Sequence, residues 1–255
     1  MTRNTYILEN YSYNWVYMIK FDRERWKQVR KTSERHEHWA FSTRLNRPFS
    51  NIITYFLLET NITPNQISVS TIFIGLFSFL SYIQGRFVLG GLLLQFSSIV
   101  DGVGGEIARA KNISSKLGMI VDSICDRLVE AFISAGIGYS VLQRYGPSYG
   151  YVVAMVGLFG LIMDPYLAEL VRSRTGQPLH IGTKLIEEKL RFSPADRGMR
   201  LFIIFIASVL QYPEIGLLLV GSTSILYATI KFFVWLWVYT GGKGKTTTVK
   251  SSESA

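Results

Sequence analysis

Cysteine is almost absent, with a single thiol, Cys125, in 255 residues. One thiol excludes an intrachain disulfide framework. Cys125 sits in an apolar run beside Asp126 and reads as inert packing. Histidine is nearly as scarce. His36 and His38 are two apart with no third ligand nearby, so no metal site is expected there. Acidic residues are also short: 18 Asp and Glu against 27 Lys and Arg leave a net charge of +9. That surplus suits either nucleic acid or an anionic membrane surface. No G-x-x-x-x-G-K-[ST] run occurs, which excludes a P-loop. The glycines at 102, 104 and 105 do not form G-x-G-x-x-G after a strand, so a dinucleotide fold is excluded too. There is no internal repeat and no low-complexity core. The first 61 residues hold no apolar core of leader type, so no cleaved leader is expected.

Long hydrophobic runs are abundant. Hydrophobic residues make up 48% of the chain, and they cluster in blocks rather than scatter. Blocks near the ~20 residues that a bilayer requires point to membrane helices. The membrane reading therefore prevails over nucleic acid, and no nucleic-acid partner is expected. The layout follows from the blocks. Residues 1–44 form a basic cytoplasmic arm touching anionic lipid, with Arg23, Arg25, Lys27, Arg30, Lys31 and Arg35 clustered. Residues 45–61 hold an amphipathic helix at the membrane surface. Pro48 is expected to open it, and Ile52, Ile53, Phe56 and Leu57 share its apolar face. Pro64, after the break at 61–65, suits the first turn of the next helix. Residues 62–240 form an all-α membrane domain. Its six spans are expected near 66–84, 87–101, 117–142, 149–171, 199–211 and 215–239. Residues 241–255 are a polar tail expected to be disordered.

Six spans place both termini on one side. The turns at 84–86, 144–147 and 211–214 then face the other side, and they hold only Arg86 and Arg144 of the 27 basic residues. The positive-inside rule puts the termini, and the loops 110–116 and 172–200, in the cytoplasm of a cell-membrane protein.

The chain is organised around residues 101–126, DGVGGEIARAKNISSKLGMIVDSICD. Carboxylates inside or at the edge of membrane helices are costly and mark functional sites. Asp122 and Asp126 are four apart and share one helix face, which Gly118 extends. Asp101, Gly105 and Ala108 make a matching stripe on the preceding segment. Two small-residue faces bearing acids can close around a divalent metal carrying phosphate, because hard cations take carboxylate and phosphate oxygens together.

These residues resemble the signature of the CDP-alcohol phosphotransferases, D-x-x-D-G-x-x-A-R-x8-G-x3-D-x3-D. Asp101, Gly105, Ala108, Arg109, Gly118, Asp122 and Asp126 fall at its spacings. TPNQIS and VRSRTG resemble the family's entry to its first span and the end of its fourth. One position departs: the second aspartate is replaced by Gly104. The nearby Glu106 does not stand in for it, since two residues along a helix point elsewhere.

The resemblance implies displacement of CMP from a CDP-linked alcohol by a second alcohol, with Mg2+ or Mn2+ as cofactor. It makes Asp101, Asp122 and Asp126 metal ligands, and Asp126 alternatively the base for the acceptor hydroxyl. Gly105, Ala108 and Gly118 would let cytidine lie against the helices, and Arg109 would face phosphate or ribose. Arg172, Arg174 and Arg197 form a basic set for a phosphorylated acceptor such as inositol phosphate, since arginine binds phosphate bidentately. LQFSSIVDG followed by GEIAR is similar to the membrane domain of di-myo-inositol-phosphate-phosphate synthases, which often carry a fused nucleotidyltransferase domain. The N-terminal arm is too short for such a domain, so CDP-inositol would come from elsewhere; CDP-diacylglycerol stays open as donor. A homodimer within the bilayer is implied by resemblance. Gly104 motivates the competing expectation of a weakened enzyme, or of a non-catalytic protein that keeps the nucleotide pocket. An ion-coupled transporter is a third class, and the chain lacks the paired interrupted helices that would favour it.

Overall fold

A computed structural model describes residues 22–33, 41–176, 178–179 and 196–241. His36, His38, Arg35 and the tail from 242 lie outside the described residues. Eight helices are seen among those described: α1 (Arg23–Ser33), α2 (Phe41–Leu57), α3 (Pro64–Ile83), α4 (Phe87–Ala110), α5 (Lys116–Tyr145), α6 (Pro147–Thr175), α7 (Arg197–Val209) and α8 (Pro213–Gly241). No strand occurs among the described residues.

The helix boundaries have local causes. Thr63 and Gln66 form a reciprocal capping box at the start of α3, with Pro64 in the first turn. Ser115 caps α5 by accepting from Gly118 N at 3.0 Å. Asp196 caps α7 in the same way. Gly176, in the left-handed region at φ 71°, terminates α6.

α3 to α8 close into a ring. Each packs on two neighbours in the order α3, α5, α6, α8, α7, α4 and back to α3. Their inward apolar side chains build one core, with Tyr82, Leu94, Ile133, Leu161, Ile204 and Leu217 each drawn from a different helix. The α6–α8 contact is close enough to need glycine, because a Cβ on Gly160 would stand 2.3 Å from Gly221 O. A buried pair, Lys231 Nζ to Asp164 Oδ1 at 3.0 Å, ties the same two helices.

Four helices are long and apolar enough to cross a membrane: Pro64–Ile83, Phe87–Ala110, Pro147–Thr175 and Pro213–Thr240. The other two expected spans fall short for different reasons. α5 has 30 residues but carries Asp122, Asp126, Arg127 and Glu130. α7 has 13 residues, which at ~1.5 Å per residue reach only about 20 Å.

The surface helix differs in detail from expectation. α2 begins at Phe41, and Pro48 lies inside it rather than opening it. What holds α2 is a polar ladder at one-turn spacing. Asn46 Nδ2 donates to Ser98 Oγ (3.0 Å) and Asn46 Oδ1 accepts from Gln95 (2.7 Å). Ser50 and Thr54 donate to the two oxygens of Glu106 at 2.7 and 2.6 Å. Phe49, Ile52 and Phe56 point outward. Ile53 and Leu57 pack on the Ile67, Val103 and Ile107 cluster. The four apolar residues expected on one face therefore divide, Ile52 and Phe56 facing out and Ile53 and Leu57 facing in beside the polar ladder.

Candidate metal centre

Asp101 comes from α4, and Asp122 and Asp126 from successive turns of α5. One oxygen from each lies within 4.8 Å of the others. The sequence spacing and the fold therefore agree on a three-carboxylate cluster. All three are partly accessible, as are Gly105, Ala108 and Gly118 beside them. Ser68 of α3 joins from a third helix, donating to Asp122 Oδ1 at 2.8 Å.

Gly104 is buried against α3. A Cβ there would lie 3.6 Å from Ile67 Cγ2, Pro64 O and Ser68 Oγ, which is ordinary contact. Ser68 therefore stands next to the place left by the missing side chain. Glu106 does point elsewhere, into the hydroxyls of α2.

The expected basic set of Arg172, Arg174 and Arg197 divides, with Arg197 among the carboxylates and the other two at the end of α6. The Arg197 guanidinium enters the carboxylate cluster from the first turn of α7. Nη1 is 2.9 Å from Asp101 Oδ2, Nη2 is 2.9 Å from Asp126 Oδ1, and Nε is 3.3 Å from Glu130 Oε1. Arg172 and Arg174 sit at the C-terminal end of α6, exposed and without an ion pair among the described residues. Arg109 is half-buried, and its Nε donates to the carbonyl of Thr32 at the end of α1 (2.8 Å). Its Nη1 lies alongside Gly105, 3.2 Å from where a Cβ would be. Cys125 is buried and free, as packing predicts.

Sequence reading missed Glu130, Arg127 and Arg200. Glu130 is wholly buried, one turn beyond Asp126. Arg127 Nη1 reaches Glu130 Oε2 at 2.7 Å. Arg127 also donates to Leu161 O at 3.0 Å, and Arg200 donates to the same oxygen at 3.2 Å. The cause is Pro165, four residues on in α6. Proline has no N–H to give the carbonyl four residues earlier. That carbonyl is left for side chains, and two arginines take it. The 122, 126, 130 spacing could have signalled Glu130; nothing local marks Leu161.

The cluster fits a hard divalent cation. Its donors are carboxylate oxygens from two helices, and they already seat a cationic group, the Arg197 fork. Such donors suit Mg2+ or Mn2+.

Residues 61–237 match the CDP-alcohol phosphatidyltransferase family. The bifunctional IPC transferase and DIPP synthase of Aquifex aeolicus is 32% identical over 198 residues, covering 76% of this chain and 44% of that protein. The archaetidylinositol phosphate synthase of Pyrococcus horikoshii is 34% identical over 169 residues, covering 66% of this chain and 80% of that protein. The chain thus spans less than half the length of the bifunctional relative. Among solved structures, the phosphatidylinositol phosphate synthase of Mycobacterium tuberculosis, in complex with manganese and citrate, superposes with a TM-score of 0.60 at 17% identity, over 73% of this chain and 88% of that one. The same enzyme with CDP-DAG bound gives a TM-score of 0.61 at 17% identity, over 74% and 94%. With its helical ring, its carboxylate cluster and a match over residues 61–237, this chain belongs to the CDP-alcohol phosphatidyltransferase family.

Proposed function

We propose that the protein is a membrane transferase that displaces CMP from a CDP-linked alcohol with a second, phosphorylated alcohol. The observation that carries this reading is the convergence of Asp101, Asp122 and Asp126 within 4.8 Å, at the spacings of the family signature. Those three residues are the ones to hold Mg2+ or Mn2+. The ion supplies charge neutralisation of the pyrophosphate and orientation of its oxygens. Asp126, one turn from Asp122, is placed to take the proton of the acceptor hydroxyl as its oxygen bonds to the alcohol-side phosphorus. The bond from that phosphorus to the bridging oxygen breaks, and CMP leaves with the electron pair. Gly105, Ala108 and Gly118 leave room for the nucleotide. Arg109, steadied by the Thr32 carbonyl, presents its Nη groups on the same side.

Inositol phosphate is the acceptor we favour, bound through Arg172 and Arg174. The names of the Aquifex and Pyrococcus relatives support an inositol phosphate chemistry. CDP-diacylglycerol and CDP-inositol are the two donors to compare; the neighbour with CDP-DAG bound supports the first. We infer six spans, with α5 and α7 crossing alongside the four apolar helices, since both take full places in the ring. The cluster and both termini then face the cytoplasm, and the unit is a homodimer.

The test is CMP release from each donor, with inositol phosphate or glycerol phosphate, in Mg2+ or Mn2+. Release that needs both acceptor and metal, and stops on chelation, is the expected result. Full-length protein that binds CDP-alcohols yet releases no CMP with any pair would favour the second reading, a nucleotide-binding protein disabled by Gly104.

A further inference from the structure

Arg197 has two kinds of partner. Its Nη1 and Nη2 fork lies on Asp101 and Asp126, both at 2.9 Å, two of the three converging carboxylates. Its Nε lies 3.3 Å from Glu130, which is outside that trio. A divalent ion bound by the trio would compete with the fork for Asp101 and Asp126, two of its three carboxylates. Two cations cannot share two carboxylates at these distances without strong repulsion.

Glu130 is built to stay where it is. It is wholly buried. Its Oε2 is ion-paired with Arg127, whose Nη1 lies 2.7 Å away, and Arg127 itself donates to the Leu161 carbonyl. Arg200 shares that carbonyl, which the ring of Pro165 withholds from the helix ladder. Oε1 is the oxygen turned to Arg197. So one end of the guanidinium rests on a fixed carboxylate, and the other on carboxylates that a metal also wants.

We propose that Glu130 is the positioning residue for Arg197, keeping its guanidinium paired through Nε while the fork yields Asp101 and Asp126 to a divalent cation. The proposal rests on reading the three aspartates as a metal centre. A guanidinium stripped of both aspartates would otherwise be a buried, unpaired charge, which is strongly unfavourable. Glu130 removes that penalty and so favours metal loading. It also retains a cationic fork beside the ion.

The two residues are then energetically coupled toward metal, in a way that simple charge addition is not. Mn2+ binding, read by electron paramagnetic resonance on the full chain in nanodiscs, tests this as a double-mutant cycle. Arg197→Gln removes the competitor and should tighten Mn2+ at least fivefold. Glu130→Gln should weaken Mn2+ at least fivefold when Arg197 is present, and less than twofold when Arg197→Gln is also present. An equal loss in both backgrounds means that Glu130 acts only as a distant negative charge, and overturns the proposal. So does an Arg197→Gln affinity that is unchanged or weaker. If Arg197→Gln does not fold, Arg197→Lys replaces it. One ammonium cannot reach Glu130 and both aspartates at once, so the coupling must shrink there too, and full coupling in the lysine background refutes the idea. Mn2+ binding without CMP release by the unsubstituted chain would count against the transferase and leave the cycle readable. Absence of Mn2+ binding would remove both.

Discussion

Replacing Gly104 with aspartate is the sharpest perturbation that the site offers. The new Cβ meets Ile67, the Pro64 carbonyl and Ser68 at 3.6 Å, so the backbone need not move. The carboxylate would stand beside Ser68, whose hydroxyl already donates to Asp122 at 2.8 Å. A carboxylate about 5 Å from a divalent ion, at an effective dielectric of about 20, attracts it by about 6–7 kcal/mol. Repulsion from Asp122 and the cost of burying the charge beside Ile67 take back several kcal/mol. We expect about 1.5–3 kcal/mol to remain, a tightening of Mn2+ by about 10–150-fold. The sign reverses without metal: the added like charge should lower the thermal midpoint, and Mn2+ should restore it by more than it stabilises the unsubstituted chain. Calorimetric Mn2+ titration and thermal unfolding with and without Mn2+ read both effects, and CMP release should rise most at limiting metal. A folded Gly104→Asp protein with Mn2+ affinity equal to or below that of the original would refute the view that position 104 faces the metal centre.

Asp126→Asn should cut CMP release by about 10²–10⁴-fold, since a carboxamide is neither a base nor an anionic ligand; a loss under tenfold in initial-rate assays would deny it both roles. Arg172→Gln and Arg174→Gln should raise the KM for a phosphorylated acceptor well above any change in donor KM, which initial rates at varied acceptor and donor will separate. Lys231→Leu leaves Asp164 buried and unpaired between α6 and α8, and should destabilise the fold by about 3–5 kcal/mol in detergent unfolding. Losing less than about 1 kcal/mol there would mean that Asp164 finds another partner.

How much of this was legible in the sequence depends on range. Asp122, Asp126 and Gly118 sit on one helix, and a spacing of four is enough to align them. The capping box at Thr63 and the break before Pro64 are equally local. Arg197 is different: it meets Asp101 across 96 residues, and no periodicity encodes that contact. Its cationic type is legible in the sequence, but its address is not. In the surface helix the outward Ile52 and Phe56 are legible, whereas the Ser50 and Thr54 hydroxyls that hold it on Glu106 carry no periodic signal. Pro48 misled because proline favours the first turn, yet here the helix starts seven residues earlier. The Ser68 contact was hidden because hydroxyls in apolar helices carry no distinctive pattern.

The arginines and acids missed from sequence also explain how so much charge can sit in an apolar ring. Glu130, Arg127 and Arg197 are drawn together as ion pairs, and Arg200 joins them through the Leu161 carbonyl that Arg127 also reaches. Burying an unpaired ion is costly enough that such a set persists only when it closes. Closure here turns on one proline. Without Pro165, the Leu161 carbonyl would return to the α6 ladder and accept a backbone N–H in competition with both guanidiniums. A carbonyl has two lone pairs, so three donors cannot all be served well. The helix would gain a hydrogen bond, and Arg127 and Arg200 would loosen beneath Glu130. That trade runs against helix stability and in favour of a fixed charge network. A proline in the middle of α6 therefore belongs to the carboxylate site, even though no atom of it touches an aspartate of the cluster.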